Sequence, residues 1–409
     1  MTSTLGIKKI QYPNGTNSIT IDSSGSAAIT TANITTANIT NATATGTITT
    51  PSINGGQIGG RRNIIINGAM QVAQRGTSST TDGDFAVDRF KHSFSGTDEA
   101  PTFAQVDVAS GTTPYTSGFR KSLKVTNGNQ TSGAGAGDLI QLSTDLEGQD
   151  IAKSGWNYNS TSSFIVLSFY VKSSVAQNFF GYLNITISPT RFFPFETGTL
   201  TADTWTKVTK IIPGSSSPTL AFVNDTASGL QIAWFPFFGT NFTASGVSLD
   251  TWTVANNSER IPDMTTTWYT TNDATFEITG VQIEVGSQAT PFEHRSFGEE
   301  LALCQRYFQK TYTYTEYLGT NTDAGCVNYI GSNSADEFNF NFIATMRAAP
   351  TMSLMRKNGG AANNAQRGNN AATYANIAST GVTEVGFEIS NDATNSANYR
   401  FHYYADSEL

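Results

Sequence analysis

The chain has 409 residues, enough for two or three domains. Charged residues make up 14% and the net charge is −8, a balance that argues against binding a nucleic-acid backbone. Hydrophobic residues make up only 38%, and no apolar run approaches the roughly 20 residues of a membrane span, so no membrane insertion is expected. Thr, Ser, Asn and Gly fill the gap, a composition suited to β-structures with uncharged polar surfaces outside the cell. Residues 1–20 hold a short strand-like start, LGIKKIQYP, and a turn at Asn14-Gly15. They lack the charged start and apolar core of a signal peptide.

Residues 21–60 contain no aromatic side chain and one charge, Asp22. Ile29, Ile34 and Ile39 recur every five residues, and Ile48, Ile53 and Ile58 resume the step. One isoleucine in five cannot give a lone chain a core. Three chains around an axis can bury one isoleucine each per layer, and the many threonines favour extended backbone. The spacing therefore predicts the stalk of a parallel homotrimer with these six isoleucines as its core. A Ser/Thr/Asn linker is the alternative.

Residues 61–292 read as a large β domain. Strands are predicted at 63–66, 90–94, 103–108, 122–126, 164–172, 179–187, 205–212, 230–238 and 276–285, divided by Gly, Asn, Asp and Pro clusters. Both faces of 164–172 are apolar, which places that strand centrally. Val281, Ile283 and Val285 alternate with Gln282 and Glu284, the pattern of a half-buried strand. Ser296 followed by Glu299 forms a capping box. Helical spacing then predicts a linker helix over 293–310 whose Leu301, Cys304 and Phe308 pack on another surface. Residues 311–409 form a second β domain, with strands at 312–317, 325–330, 338–343, 351–354, 383–390 and 399–404 and a flexible loop at 357–373.

Catalytic motifs are scarce. His92, His294 and His402 lie far apart, and H-E-x-x-H, G-x-S-x-G and phosphate-loop patterns are missing. The carboxylates Asp84 and Asp88, and Asp145, Glu147 and Asp150, are the pairs a glycan depolymerase would need. No catalytic residue and no metal ligand is assigned, and no enzyme activity is expected. A calcium ion in a loop at 145–150 is the one cofactor reading left open. Cys304 reads as a buried thiol, with a disulfide to Cys326 left open. Aromatic rings are the stronger signal, since sugar faces stack on them. Trp205 and Trp234 fall in strands and read as core. Trp252 and Trp268 stand in polar text and are the candidate exposed glycan platforms, joined by Tyr312 and Tyr314 in the last domain.

The segments NIIINGAMQVAQR (63–75), DRF (88–90) and GVQIEVGSQATPFEHRSFGEELALCQRYF (280–308) resemble those of phage tail fibre and tail-associated structural proteins. The resemblance implies a jelly-roll-like domain akin to a carbohydrate-binding module. The whole is then an all-β protein: a trimeric β stalk, a jelly-roll-like β-sandwich, a short linking helix and a second C-terminal β-sandwich. It implies a homotrimeric fibre of the virion, acting outside the cell, that attaches to other phage proteins by residues 1–20. Its β domains would meet host-surface polysaccharide or another receptor. A tailspike-like depolymerase and a head-attached fibre are the alternatives.

Overall fold

The computed structural model describes residues 61–186, 190–331, 337–357, 363–367, 374–391 and 397–409, together with three short strands nearer the start. Those strands, β1 (Lys9–Gln11), β2 (Ser18–Ile21) and β3 (Ala27–Ala28), form an antiparallel sheet within a first unit, Met1–Thr50. The Asn14-Gly15 turn and the isoleucines Ile29, Ile34, Ile39, Ile48, Ile53 and Ile58 lie outside the described residues.

The second unit spans Pro51–Leu409. Its first part carries β4 (Ser78–Ser79), β5 (Lys91–Ser95), β6 (Thr102–Asp107), α1 (Thr113–Thr116), β7 (Lys121–Thr126), β8 (Leu139–Glu147) and α2 (Gly148–Ala152). There follow β9 (Phe164–Ser173), β10 (Asn178–Ile185), β11 (Arg191–Thr199), β12 (Thr206–Pro213), β13 (Ser228–Phe238), β14 (Thr253–Val254), α3 (Thr267–Thr270) and β15 (Thr275–Val285). These strands make two six-stranded antiparallel sheets, ordered β14-β11-β10-β13-β8-β5 and β12-β9-β15-β7-β6-β4. Alternating apolar side chains from both sheets meet between them. Phe169 of β9 stands edge-on to Trp234 of β13 at 5.6 Å, and Phe179 of β10 meets Phe276 of β15 at 5.0 Å. Such pairs add about 0.5–1.5 kcal/mol each beyond area burial. With its two apolar faces, β9 is an interior strand but not the middle one, lying between the edge strand β12 and β15.

The predicted strand at 63–66 is instead an irregular segment that packs on β15. Ile64 N donates to Ile283 O at 2.9 Å, and Asn63 Nδ2 donates to Val281 O at 3.2 Å. Asn63 Oδ1 accepts from Ile65 N and Ile283 N. Gly68 lies so close that a Cβ there would stand 2.0 Å from Val281 O. The two ends of the family-like text therefore meet in space. β15 itself is buried on both faces rather than half-buried. Gln282 and Glu284 are covered by 286–295: Thr290 N and Oγ1 donate to Glu284, and Glu293 N donates to Gln282 Oε1.

The predicted helix is real but shorter. α4 covers Phe297–Gln305, with Ser296 Oγ accepting from Glu299 N at 3.3 Å. Glu299 itself pairs with Arg61, so only half of the capping box forms. Phe308 is not on the helix. It opens β16 (Phe308–Lys310), which pairs with the last strand, so sheet pairing replaces the final helical turn. Leu301 is half-buried, while Cys304 and Phe308 are buried. Both cysteines are free thiols.

The remaining strands are β17 (Val327–Gly331), β18 (Glu337–Asn341), β19 (Thr351–Arg356), β20 (Asn364–Arg367), β21 (Tyr374–Thr380), β22 (Gly386–Asn391) and β23 (Ala397–Asp406). They join β16 in one eight-stranded antiparallel sheet, running β16-β23-β20-β21-β22-β18, with β17 and β19 also on β23. Phe340 of β18 packs edge-on to Phe401 of β23 at 5.6 Å, and Phe387 of β22 to Tyr403 of β23 at 4.9 Å. Strands far apart in the order thus face each other, and the sheet folds over its own core as a sandwich does. Two expectations change. Residues 312–317 are not a strand, because Lys310 Nζ donates to the carbonyls of Tyr314 (3.2 Å) and Glu316 (2.6 Å) and holds them in turns. Part of the loop expected at 357–373 is β20, recruited to the end of β23.

Candidate functional site: a tyrosine- and amide-lined cleft

Four elements build a cleft of about 400 Å3: the chain at Gln74, α4, the turns after β16, and the strands of the C-terminal sheet. Leu301 and Gln305 come from α4, and Lys310, Tyr312 and Tyr314 from β16 and the turns after it. Phe340, Asn341 and Ile343 come from β18 and its exit. A second hollow of about 220 Å3 shares Gln74, Lys310 and Tyr314 and reaches Tyr317, which is exposed.

The walls are fixed from behind. Tyr312 is buried and stacks on His402 at 3.8 Å, with its hydroxyl accepting from Gly319 N. Tyr314 is half-buried, and its hydroxyl accepts from Ala73 N (2.9 Å) and donates to Gln71 O (3.3 Å). With those hydroxyls occupied, the rings contribute apolar surface. Gln74 Nε2 donates to Asp88 (2.6 Å) and to Phe308 O (2.8 Å). Lys310 is buried, and burial lowers its ammonium to about 8 against the pull of Asp88 and Glu316. Perturbed groups of this kind, set in a cleft, mark candidate sites. Ile343 is 70% exposed and Asn341 is exposed at the mouth. Lys310 and Gln74 are spent on the frame, and rings and aliphatic side chains for C–H faces, with the Gln305 and Asn341 amides for hydroxyls, form a lining suited to a saccharide.

The other candidates sit elsewhere. Trp252 and Trp268 are core residues, 6% and 0% exposed, and not platforms. Each indole N–H is satisfied inside, Trp252 Nε1 on Pro213 O (2.8 Å) and Trp268 Nε1 on Thr275 O (2.9 Å). Residues 145–150 are the end of β8 and α2 rather than a calcium loop. Asp145 accepts from Ser228 Oγ and Gln231 Nε2, and Glu147 accepts from Arg306 and Tyr307. Asp88 takes Gln74 N and Nε2 and lies 3.8 Å from Arg75, a structural role. His294 lies 2.9 Å from Ser117 O. Among the described residues no group of three or more His, Cys, Asp or Glu side chains is placed to hold a metal, and no helix is long and apolar enough to cross a membrane.

Sequence reasoning missed Lys310, Gln74 and Asn341 as cleft residues. The FNFNF alternation was a usable signal for Phe340 and Asn341, but nothing local marks Lys310 or Gln74. It also missed that Cys326 Sγ lies 3.2 Å from His402 Nε2, with Thr311 Oγ1 3.0 Å from His402 Nδ1. Burial pushes this thiol up to about 11 and lowers the imidazole, so the pair is neutral and packs behind Tyr312.

No protein-family model and no curated protein matches the chain. Solved structures that match part of the chain include the enzymatically active domain of bacteriophage CBA120 tailspike protein 4, at 9% identity and TM-score 0.29. That match covers 55% of this chain and only 21% of the tailspike chain. A putative sugar binding protein from Bacteroides thetaiotaomicron matches at 15% identity and TM-score 0.27, over 55% of this chain and 99% of its own. The CBM22-1 xylan-binding domain of Paenibacillus barcinonensis Xyn10C matches at 9% and 0.25, over 58% and 100%. At these values the likeness says nothing of what this chain binds, and its own residues must carry that argument.

Proposed function

We propose that the chain is a fibre-like structural protein of a phage particle that recognises a host-surface saccharide in the Lys310 cleft. The lining of that cleft is the observation that carries the reading: two tyrosine rings, Phe340 and Ile343 beside the Gln305 and Asn341 amides. The fibre part rests on the family-like segments and on the five-residue isoleucine step of 21–60. As a homotrimer, the protein would present three weak sites and gain avidity through effective concentration. The reading is binding without cleavage, because glycoside hydrolysis uses a pair of carboxyl groups and the two hollows contribute one, Glu316.

Screening the whole chain against host polysaccharides, beside Ile343→Glu, tests the cleft. Binding that survives the variant moves recognition elsewhere. Shortened polysaccharide after incubation would make the protein an enzyme. A monomeric mass at micromolar concentration would remove the trimeric stalk.

A further inference from the structure

A separate hollow, of about 330 Å3, lies where the segment at 61–66 crosses β15 and α4, and it shares no residue with the cleft or the smaller hollow beside it. In a chain of net charge −8, four cations converge on it: Arg61, Arg62, Lys153 and Arg295. One carboxyl, that of Asp150, stands in the same wall, and Arg61 is already paired with Glu299 at 2.9 Å. Two of the guanidinium groups are held in place from behind. Arg62 donates to Thr290 Oγ1 (2.7 Å) and Pro291 O (3.4 Å). Arg295 donates to the carbonyls of Asn63 and Ile65 and lies 3.4 Å from Glu300 and 3.5 Å from Glu293. The Nε of Arg295 is buried with no hydrogen-bond partner, a donor left over beside the hollow. Lys153 is exposed, with only a 3.5 Å contact to Gln149 Oε1, so its ammonium is available.

The rest of the wall joins an aliphatic strip, Ile64, Ile66, Val285 and Leu303, to the polar Asn63 and Ser154. A bare oxyanion has no use for such a strip, nor for the Asp150 carboxyl. A sugar acid uses all three features. Its carboxylate meets the cations through charge-assisted hydrogen bonds, a hydroxyl donates to Asp150, and a C–H face lies on the aliphatic strip. The volume is at the lower end of the ~300–1,000 Å3 range of small-molecule sites, room for one residue rather than a chain. We infer that this hollow binds the uronate residue of an acidic saccharide, independently of the cleft.

Calorimetric titration of the full chain with glucuronate, glucose and inorganic phosphate tests this. Glucuronate is expected to bind at least tenfold more tightly than either of the others. Lys153→Glu, an exposed position, should weaken it by tenfold or more, and Arg61→Gln by about threefold, with circular dichroism unchanged. Ile343→Glu, in the cleft, should leave it unaltered. Glucose binding equally well would show that charge is not read, and phosphate binding equally well would reduce the hollow to a simple oxyanion site. No glucuronate binding, insensitivity to Lys153→Glu, or loss with Ile343→Glu would each overturn the assignment. None of these results bears on whether the cleft takes a neutral glycan.

Discussion

Arg306 grips Glu147 with two parallel hydrogen bonds, Nε to Oε1 at 2.7 Å and Nη2 to Oε2 at 2.8 Å. The hydroxyl of Tyr307 donates to the same carboxylate at 2.6 Å. Arg306 follows α4 directly and Glu147 ends β8, so this pair fastens the C-terminal sheet to the sandwich. Nearby, Arg89 pairs with Glu408 and Arg75 with Asp406, which draws the chain end into the same joint. Burial pushes the Glu147 carboxyl upward, but the hydrogen bonds and charge of Arg306 and Tyr307 outweigh it and hold the group low.

Removing Arg306 tests the joint. Glu147 is 1% exposed in its side chain, so Arg306→Ala leaves a buried carboxylate short of its counter-ion. Breaking such a pair costs about 3–5 kcal/mol, and the partly exposed guanidinium brings the expected loss to about 3 kcal/mol. Urea unfolding at pH 7 measures it. Arg306→Ala with Glu147→Gln should lose less than Arg306→Ala alone, and equal losses would show that the two groups are not coupled.

Strands with strong local alternation were legible in the sequence, and β5, β6, β7, β9, β10, β12, β13 and β15 fall where the pattern places them. Two were not. β8 follows a Gly-rich run and reads LIQLSTDLE, polar on the face away from the core. β11 contains Pro194, which reads as a break. Pro194 is tolerated because β14 pairs only with Arg191 and Phe192, so no neighbour on that side asks for its missing N–H. Trp252 and Trp268 misled for a related reason. Their neighbours are polar, but the carbonyls of Pro213 at the end of β12 and Thr275 at the start of β15 accept the indole N–H groups and let the rings go inside. The cleft was half legible. Tyr312 and Tyr314 stood out, and FNFNF marked Asn341, whereas Gln74 and Lys310 are brought to the cleft only by the fold.

Gly68 tests whether the two family-like segments are one structural unit. Its missing side chain lets the chain at 67–69 lie against β15, where Val281 N donates to Gly68 O at 2.9 Å. The obstacle to a Cβ is backbone, 2.0 Å away, and cannot rotate aside. Gly68→Ala should cost roughly 3 kcal/mol, the upper end of ordinary overpacking penalties. A melting temperature equal to that of the parent would show that the contact is soft.

His92 sets an acid limit. It is buried, stacked on Phe103 at 4.0 Å, with Nε2 2.9 Å from Thr81 O and Nδ1 unpartnered. Burial lowers it to about 4, against the opposing pull of Asp84. The unfolded chain, near 6.5, binds the proton first. Stability from this group is therefore intact above pH 6.5 and lost progressively down to about 4, by up to about 3 kcal/mol. His92→Phe should flatten that part of the stability curve, and an unchanged slope would assign it to other groups.

Asp150 slopes the opposite way. Burial, then the charge of Glu147, raises its carboxyl to about 6. The folded protein thus holds the proton more tightly than the unfolded chain, near 3.9. Its contribution is greatest below pH 4 and is lost as pH rises to about 6. Asp150→Asn should gain stability at pH 7.5 relative to the parent, by about 2 kcal/mol, and gain little at pH 4. Equal gains at both values would show that the carboxyl is not the titrating group.

Recognition in the cleft makes a prediction that separates it from the tryptophans. Ile343 and Asn341 are exposed at its mouth and carry no fold-critical contact, so Ile343→Glu and Asn341→Ala should unfold at the parent's urea midpoint. On a bound saccharide, Ile343→Glu removes apolar contact and sets a carboxylate against C–H groups, while Asn341→Ala removes one hydroxyl partner. Losses of about tenfold and threefold in affinity are expected, equivalent to about 1.4 and 0.7 kcal/mol. Trp268→Phe should do the reverse. It leaves Thr275 O without its indole donor and loses core volume, costing about 2 kcal/mol of stability while glycan affinity is unchanged. A Trp268→Phe protein that folds as well as the parent but no longer binds glycan would return recognition to the sandwich.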